Sequence, residues 1–152
     1  MKKYWIGLVI LIVIVGGGFA IWWFTSGRTN SDNNAAKSQI QTNWVAFFNG
    51  STSAQGKINL LQNGQQFAQV IQAQAQSATA KATTATVSSV SLNGSSATVQ
   101  YTIDINKQPA LSNQKGQAVK VNGAWKVGDA AFCGLLQLSG SVPPNCPGGS
   151  SQ

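Results

Sequence analysis

Histidine and glutamate are absent from the 152 residues, and acid is limited to Asp32, Asp104 and Asp129. Without histidine, a Ser-His-Asp or Cys-His nucleophile cannot be assembled. Metal sites need several convergent ligands, and the acid and histidine for them are missing. Paired carboxylates for glycoside chemistry would need two of the three aspartates. Asp32 falls in a polar linker, Asp104 on the outward face of a strand and Asp129 at a helix start. The inventory therefore predicts no catalytic, cofactor-binding or metal-binding residues, and no enzyme. Lysines are spread without a cluster: seven of them against three aspartates leave +4 from Thr29 onward. That pattern argues against a nucleic-acid partner. Cysteine is limited to Cys133 and Cys146, far from the N-terminus, which excludes a lipoprotein anchor.

One long apolar run is present. Nothing charged lies between Tyr4 and Gly27, and Trp5–Phe24 is twenty residues long. As a helix it spans roughly 30 Å, the hydrocarbon thickness of a bilayer. Lys2 and Lys3 precede it and Arg28 follows, so the positive-inside bias puts Met1–Lys3 in the cytoplasm and the remainder outside. Lys2, Lys3, Trp5, Trp22 and Trp23 are the candidate interface anchors. The preferred reading is a single-pass signal anchor over Tyr4–Ser26, with the membrane bilayer as a partner. The alternative is a signal peptide cleaved after Ala20, giving a secreted protein, since Gly18-Phe19-Ala20 is a small-x-small site. On the oxidising side an even cysteine count predicts a Cys133–Cys146 disulfide.

Gly27–Lys37 is polar and aperiodic and reads as a flexible linker. Ala36, Ile40, Trp44, Phe47 and Phe48 then recur at helical spacing, and Asn49-Gly50 stops the helix. Thr52 and Gln55 resemble a capping box for a second helix over about Ser53–Gln62, with Ile58 and Leu61 inward. A third helix begins near Gln65, with Phe67, Val70, Ile71, Ala75 and Ala78 on one side and a glutamine face on the other.

From Thr83 the pattern turns to strands. Asn93-Gly94 signals a two-residue hairpin pairing Val90 with Ala97 and Leu92 with Ser95. Ala97, Val99, Tyr101, Ile103 and Ile105 alternate inward against Thr98, Gln100, Thr102 and Asp104. Lys107–Lys115 reads as a loop around Pro109. In the second hairpin a three-residue loop, Asn122-Gly123-Ala124, puts Val119, Val121, Trp125 and Val127 on one face, with a bulge at Gly123. Asp129 is placed to cap a helix over Ala130–Leu138 that buries Phe132, Leu135 and Leu136. Gly148–Gln152 reads as a disordered tail. Asn49-Gly50-Ser51 and Asn93-Gly94-Ser95 match the glycosylation sequon and are better explained as turns. Helices first and strands after imply one α+β domain over Ser38–Pro147, with helices on one face of a curved antiparallel sheet.

WVAFFNG (Trp44–Gly50), KINLLQNGQQF (Lys57–Phe67), VSSVSLNGSSA (Val87–Ala97) and GAWKVGDAAFCGLLQL (Gly123–Leu138) resemble, as an ordered set, the C-terminal domain of the mycobacterial low-molecular-weight secreted antigens. The resemblance implies an actinobacterial cell-envelope protein. It also implies a cone-shaped fold like nuclear transport factor 2 or cystatin, and no established reaction. The N-terminal half departs from that family, and the chain is there similar to single-span, cone-domain proteins associated with mammalian-cell-entry lipid transporters. Cone-fold enzymes place an acid and a tyrosine in the cavity; Tyr101 faces inward here and no carboxylate joins it.

These readings predict a non-catalytic interaction or accessory module, docked on an envelope protein or on itself. The alternative is a small apolar-ligand or lipid site lined by Trp44, Phe48, Phe67, Tyr101, Trp125 and Phe132, the same rings that a plain core would use.

Overall fold

The structure, a computed structural model, describes residues 30–140 and 142–146. The expected anchor with its interface residues Lys2, Lys3, Trp5, Trp22 and Trp23 lies outside the described residues, as does the expected tail over 148–152. Among the described residues, no helix is long and apolar enough to cross a membrane.

Helix α1 covers residues 30–48. The linker expected through Lys37 is therefore helical from residue 30. Ser31, Asp32 and the asparagines after them carry no glycine or proline, and extending a helix already nucleated by a packed face is inexpensive. Residues 30–35 are exposed. The folded unit proper begins at Ala36. From there Ile40, Trp44, Phe47 and Phe48 form the buried stripe of α1. Asn49 ends the helix as an Asx turn, its Oδ1 accepting from the Ser51 N–H at 2.9 Å and the Ser51 hydroxyl at 2.7 Å.

Helix α2 is Ala54–Leu60. Its cap is Ser53 rather than Thr52: the Ser53 Oγ accepts from the Gly56 N–H at 3.1 Å. Leu61, 1 % exposed, bridges to Val127, and the Gln62 N–H donates to the Val127 carbonyl at 2.9 Å. The expected third helix is three pieces: a 3-10 turn Gly64–Phe67, α3 (Ala68–Ala75) and α4 (Ala78–Lys81). The break falls at Ser77, whose Oγ caps α4 by accepting from the Ala80 N–H. Phe67 and Ile71 are buried, whereas Ala78, expected on the same stripe, is exposed because the break resets the helical phase.

The strands β1 (Thr83–Asn93), β2 (Ser96–Ile105), β3 (Gln108–Val121) and β4 (Ala124–Val127) form a curled antiparallel half-barrel in the order β1-β2-β3-β4. The first hairpin differs by one step from expectation. Asn93 pairs with Ser96, Leu92 with Ala97 and Val90 with Val99, so the turn residues are Gly94 and Ser95. Gly94 takes φ +60° and Ser95 stays at negative φ. That is the pattern of a type II′ turn, which wants glycine first. A register shift between Val87 and Ser89 marks a bulge. It moves the inward set from Ala85 and Val87 to Val90 and Leu92 and bends the strand.

Of the loop expected over Lys107–Lys115, Gln108–Lys115 is strand. Asn106 and Lys107 both adopt positive φ and reverse the chain tightly, so Ile105 pairs with Gln108. Pro109 is tolerated because β4 covers only Ala118–Val121 of β3, leaving Pro109 a neighbour on one side. The second hairpin has a two-residue loop, with Asn122 at φ 50° and Gly123 at φ 82° and Val121 paired with Ala124. Trp125 and Val127 therefore share a face with Lys120 and Ala118, while Val119 and Val121 sit on the other face with Lys126 and Ala124. Positive φ at both turn residues matches the right-handed strand twist, which a three-residue loop would not need.

Helix α5 is Asp129–Leu138, and its N-cap is Gly128. Asp129 lies one residue inside and reaches across the fold instead. Its carboxylate accepts from the Asn63 N–H at 3.1 Å and from the Asn63 side-chain amide. The Asp129 N–H donates to Gln62 Oε1 at 3.3 Å, so the corner after α2 is tied to the start of α5. Phe132 and Leu136 are buried and Leu135 partly so. Cys133 and Cys146 form the expected disulfide, with Cα atoms 5.5 Å apart. The Asn145 side chain adds a 3.1 Å bond to the Gln66 carbonyl.

Candidate functional site

Six inward rings were the sequence candidates, and their surroundings divide them. Trp44 meets Tyr101 edge-on at 5.1 Å between centroids and Phe48 at 5.9 Å, and Phe48 stacks on Tyr101 at 5.5 Å and 15°. On the other side Phe132 meets Phe47 at 5.6 Å and Phe67 at 5.4 Å, both edge-on. Phe47 and Phe48, 4.9 Å apart, join the two groups. Trp125 stands apart from these rings. The Asn43 amide donates to its carbonyl at 2.7 Å, and the Lys120 Nζ lies 6.0 Å from its ring centroid.

Empty space adjoins only part of this ring system. A cavity of about 350 Å³ lies between the ends of α1 and α5 and the helices α2 to α4. Phe47, Phe48, Ile71, Phe132, Leu135 and Leu136 are the large side chains of its apolar lining, which two alanines complete. Of the six candidates, Phe48 and Phe132 face it. Trp44, Phe67, Tyr101 and Trp125 are core, between 1 % and 4 % exposed, and do not line this cavity.

The polar lining was not anticipated. It consists of Lys57, Gln74, Ser77, Thr79, Thr83 and Ser139. Three hydroxyls are already engaged: Ser77 caps α4, Thr83 donates to the Thr79 carbonyl at 2.7 Å, and Ser139 donates to the Leu136 carbonyl at 2.8 Å. Lys57 is half-buried, and that burial holds its ammonium below the ordinary lysine value. No carboxylate lines the cavity. The signal for Lys57 was its place one residue before Ile58, on the flank of the inward face of α2. Spacing alone could not say that a void would open there.

Among the described residues, no group of three or more cysteine and aspartate side chains could hold a metal. Asp104 pairs across the sheet with Thr84 and Pro109, and Asp129 is engaged with Asn63. Around the cavity the described side chains supply an apolar wall, uncharged polar groups and one cation.

A curled four-strand half-barrel with helices over its inner face defines an α+β domain, and an apolar cavity opens among those helices. Residues 33–143 match the family described as Low molecular weight antigen MTB12, C-terminal domain, and the chain belongs to that family. A search of curated proteins found no match. Family membership and the disulfide fit an extracytoplasmic domain.

Proposed function

We propose that this protein is a non-catalytic binding module of the cell envelope, and that its cavity takes a small apolar ligand. The observation that carries the reading is the cavity itself. Its volume of about 350 Å³ lies at the lower end of the range for small-molecule sites. The cavity is a cleft open on one side, so its rings and aliphatic side chains meet water, and an apolar ligand would remove that surface from water. The chain's lack of histidine and glutamate supports the non-catalytic part. The helices gathered inside a curled sheet support likening the domain to the nuclear-transport-factor-2 or cystatin cone.

The run Tyr4–Ser26 is read here as a signal anchor holding the domain outside the membrane, with a cleaved, secreted form as the alternative. A second reading, docking onto an envelope protein or a second copy, draws on the outward sheet face. There Thr84, Thr86, Ser91, Thr98 and Gln100 are exposed, uncharged hydrogen-bonding residues.

Native mass spectrometry of the protein gently extracted from its own membranes tests these readings together. An intact chain carrying a lipid-sized mass is the expected outcome. An intact chain with a second polypeptide and no small ligand would favour docking. A bare species beginning near Ile21, recovered from the medium, would overturn the anchor.

A further inference from the structure

We propose that the cavity receives the acyl end of an anionic amphiphile, a single chain whose carboxylate or phosphate head is held at the rim by Lys57 and Gln74. This rests on the reading of the cavity as a binding site and narrows it to one ligand class.

The case begins with the lining. The apolar side is built from three rings, three branched aliphatic side chains and two alanines. Among the polar lining residues the hydroxyls of Ser77, Thr83 and Ser139 are committed to the backbone. The side chains of Lys57 and Gln74, and the Thr79 hydroxyl, have no hydrogen-bond or ion-pair partner among the described residues. Lys57 is the one charged side chain lining the space. A partly buried lysine with no counter-ion leaves its charge available to an anionic group that enters the cleft. A lysine kept only for packing would lose nothing as methionine, which has a stem of similar length. The lowered lysine value agrees with this, since it reports that the ammonium has given up water without gaining a partner. A carboxylate or phosphate would supply that partner, and the Gln74 amide, from α3, is a second donor in the lining.

The volume sets the scale of the chain. Taking about 30 Å³ per water-sized group, 350 Å³ holds on the order of ten carbons. A medium-chain acid or phosphate fits whole, and a longer chain fits by one end.

The test uses the full-length protein in non-ionic maltoside micelles, titrated with decanoate, decyl phosphate and decanol, with occupancy read by native mass spectrometry. The wild type should bind one or both anions at least tenfold more tightly than decanol, as expected for a charge-assisted hydrogen bond lost in the alcohol. Lys57→Met should lose that tenfold preference and keep its decanol affinity. Shortening the preferred anion from ten carbons to eight should weaken binding roughly fourfold per methylene. Preference for decanoate would identify a fatty-acid head and preference for decyl phosphate a lipid phosphate. Decanol binding as tightly as the anions, or a Lys57→Met variant that keeps the preference, would overturn the anionic assignment while leaving the apolar site standing. No adduct with any of the three would overturn both. Lys57→Met should melt no lower than wild type, and if it does not fold, Lys57→Gln provides the same comparison.

Discussion

Tyr101 shows what a single side chain contributes at the centre of this domain. It is 2 % exposed, stacked by Phe48 and met edge-on by Trp44. Burial pushes its phenol up to about 12 from an ordinary value near 10. A raised value means that the stabilising contribution is complete below pH 10 and is lost as pH climbs through about 12. Two pH units correspond to roughly 2–3 kcal/mol. Tyr101→Phe keeps both ring contacts, so its urea midpoint at pH 7 should stay within about 1 kcal/mol of wild type. Between pH 10 and 12 the variant should lose markedly less stability than wild type; equal losses would show that the phenol is not the group responsible. Trp44 is a contrasting case. Its Nε1 is buried without a hydrogen-bond partner among the described residues, a cost of about 1–3 kcal/mol offset by the packing of the ring. That Tyr101 and Trp44 point inward was legible from period-two and period-3.6 spacing. That they meet each other, and that Phe48 but not Phe67 borders the cavity, was not legible, because those relations join residues far apart in the chain.

At the scale of elements, the glycine and small-residue positions of β3 explain the register. Gly116 pairs with Val99 and Ala118 with Ala97, on the inward face. A Cβ on Gly116 would lie 2.7 Å from the Trp44 ring and 3.0 Å from the Ala131 Cβ. Helices α1 and α5 thus approach the sheet where it has no side chain. Gly116→Ala should lower stability by about 1–3 kcal/mol through overpacking, measured as a shift in denaturation midpoint. Adding Trp44→Phe to it should cost less than the sum of the two single changes, because the shorter ring vacates the clash. Strictly additive effects would show that the two residues do not press on one another. Element identities were largely readable: α1, α2, β1, β2 and α5 lie near where spacing and turn residues put them, while the first hairpin turns one residue later than its Asn-Gly signal. The first part of β3, Gln108–Lys115, reads as a loop because of its polar residues and Pro109. Its pairing is bought by a tight reversal at Asn106 and Lys107, whose positive φ no pattern of hydrophobicity reports.

At the scale of the whole folded unit, the disulfide holds the last helix and the segment after it together. Cys133 and Cys146 are 2 % and 3 % exposed, and they close a loop over a sequence separation of 13. Replacing both with alanine should cost about 3 kcal/mol in the chain-entropy account, read from thermal or urea unfolding of oxidised wild type and variant. Helix α5 also supplies Phe132, Leu135 and Leu136 to the cavity. If the cavity takes the proposed amphiphile, the same variant should weaken decanoate binding beyond what a distant destabilisation would cause, and unchanged decanoate affinity would separate the cross-link from the cavity wall.

Local composition determined a great deal. The absence of histidine and glutamate, the apolar N-terminal run, the cysteine pair, the inward stripes and the turn dipeptides are properties of neighbouring residues, and their physics acts over one or two turns of chain. The tertiary structure decided the rest. Hairpin registers depend on which turn conformation suits the strand twist. The curl of the sheet depends on bulges that appear only when two strands are paired. The cavity is volume left between five helices once their rings have packed, and Lys57 became its one cation by where α2 came to rest. Such outcomes are set by contacts between residues tens of positions apart, which a linear pattern does not contain.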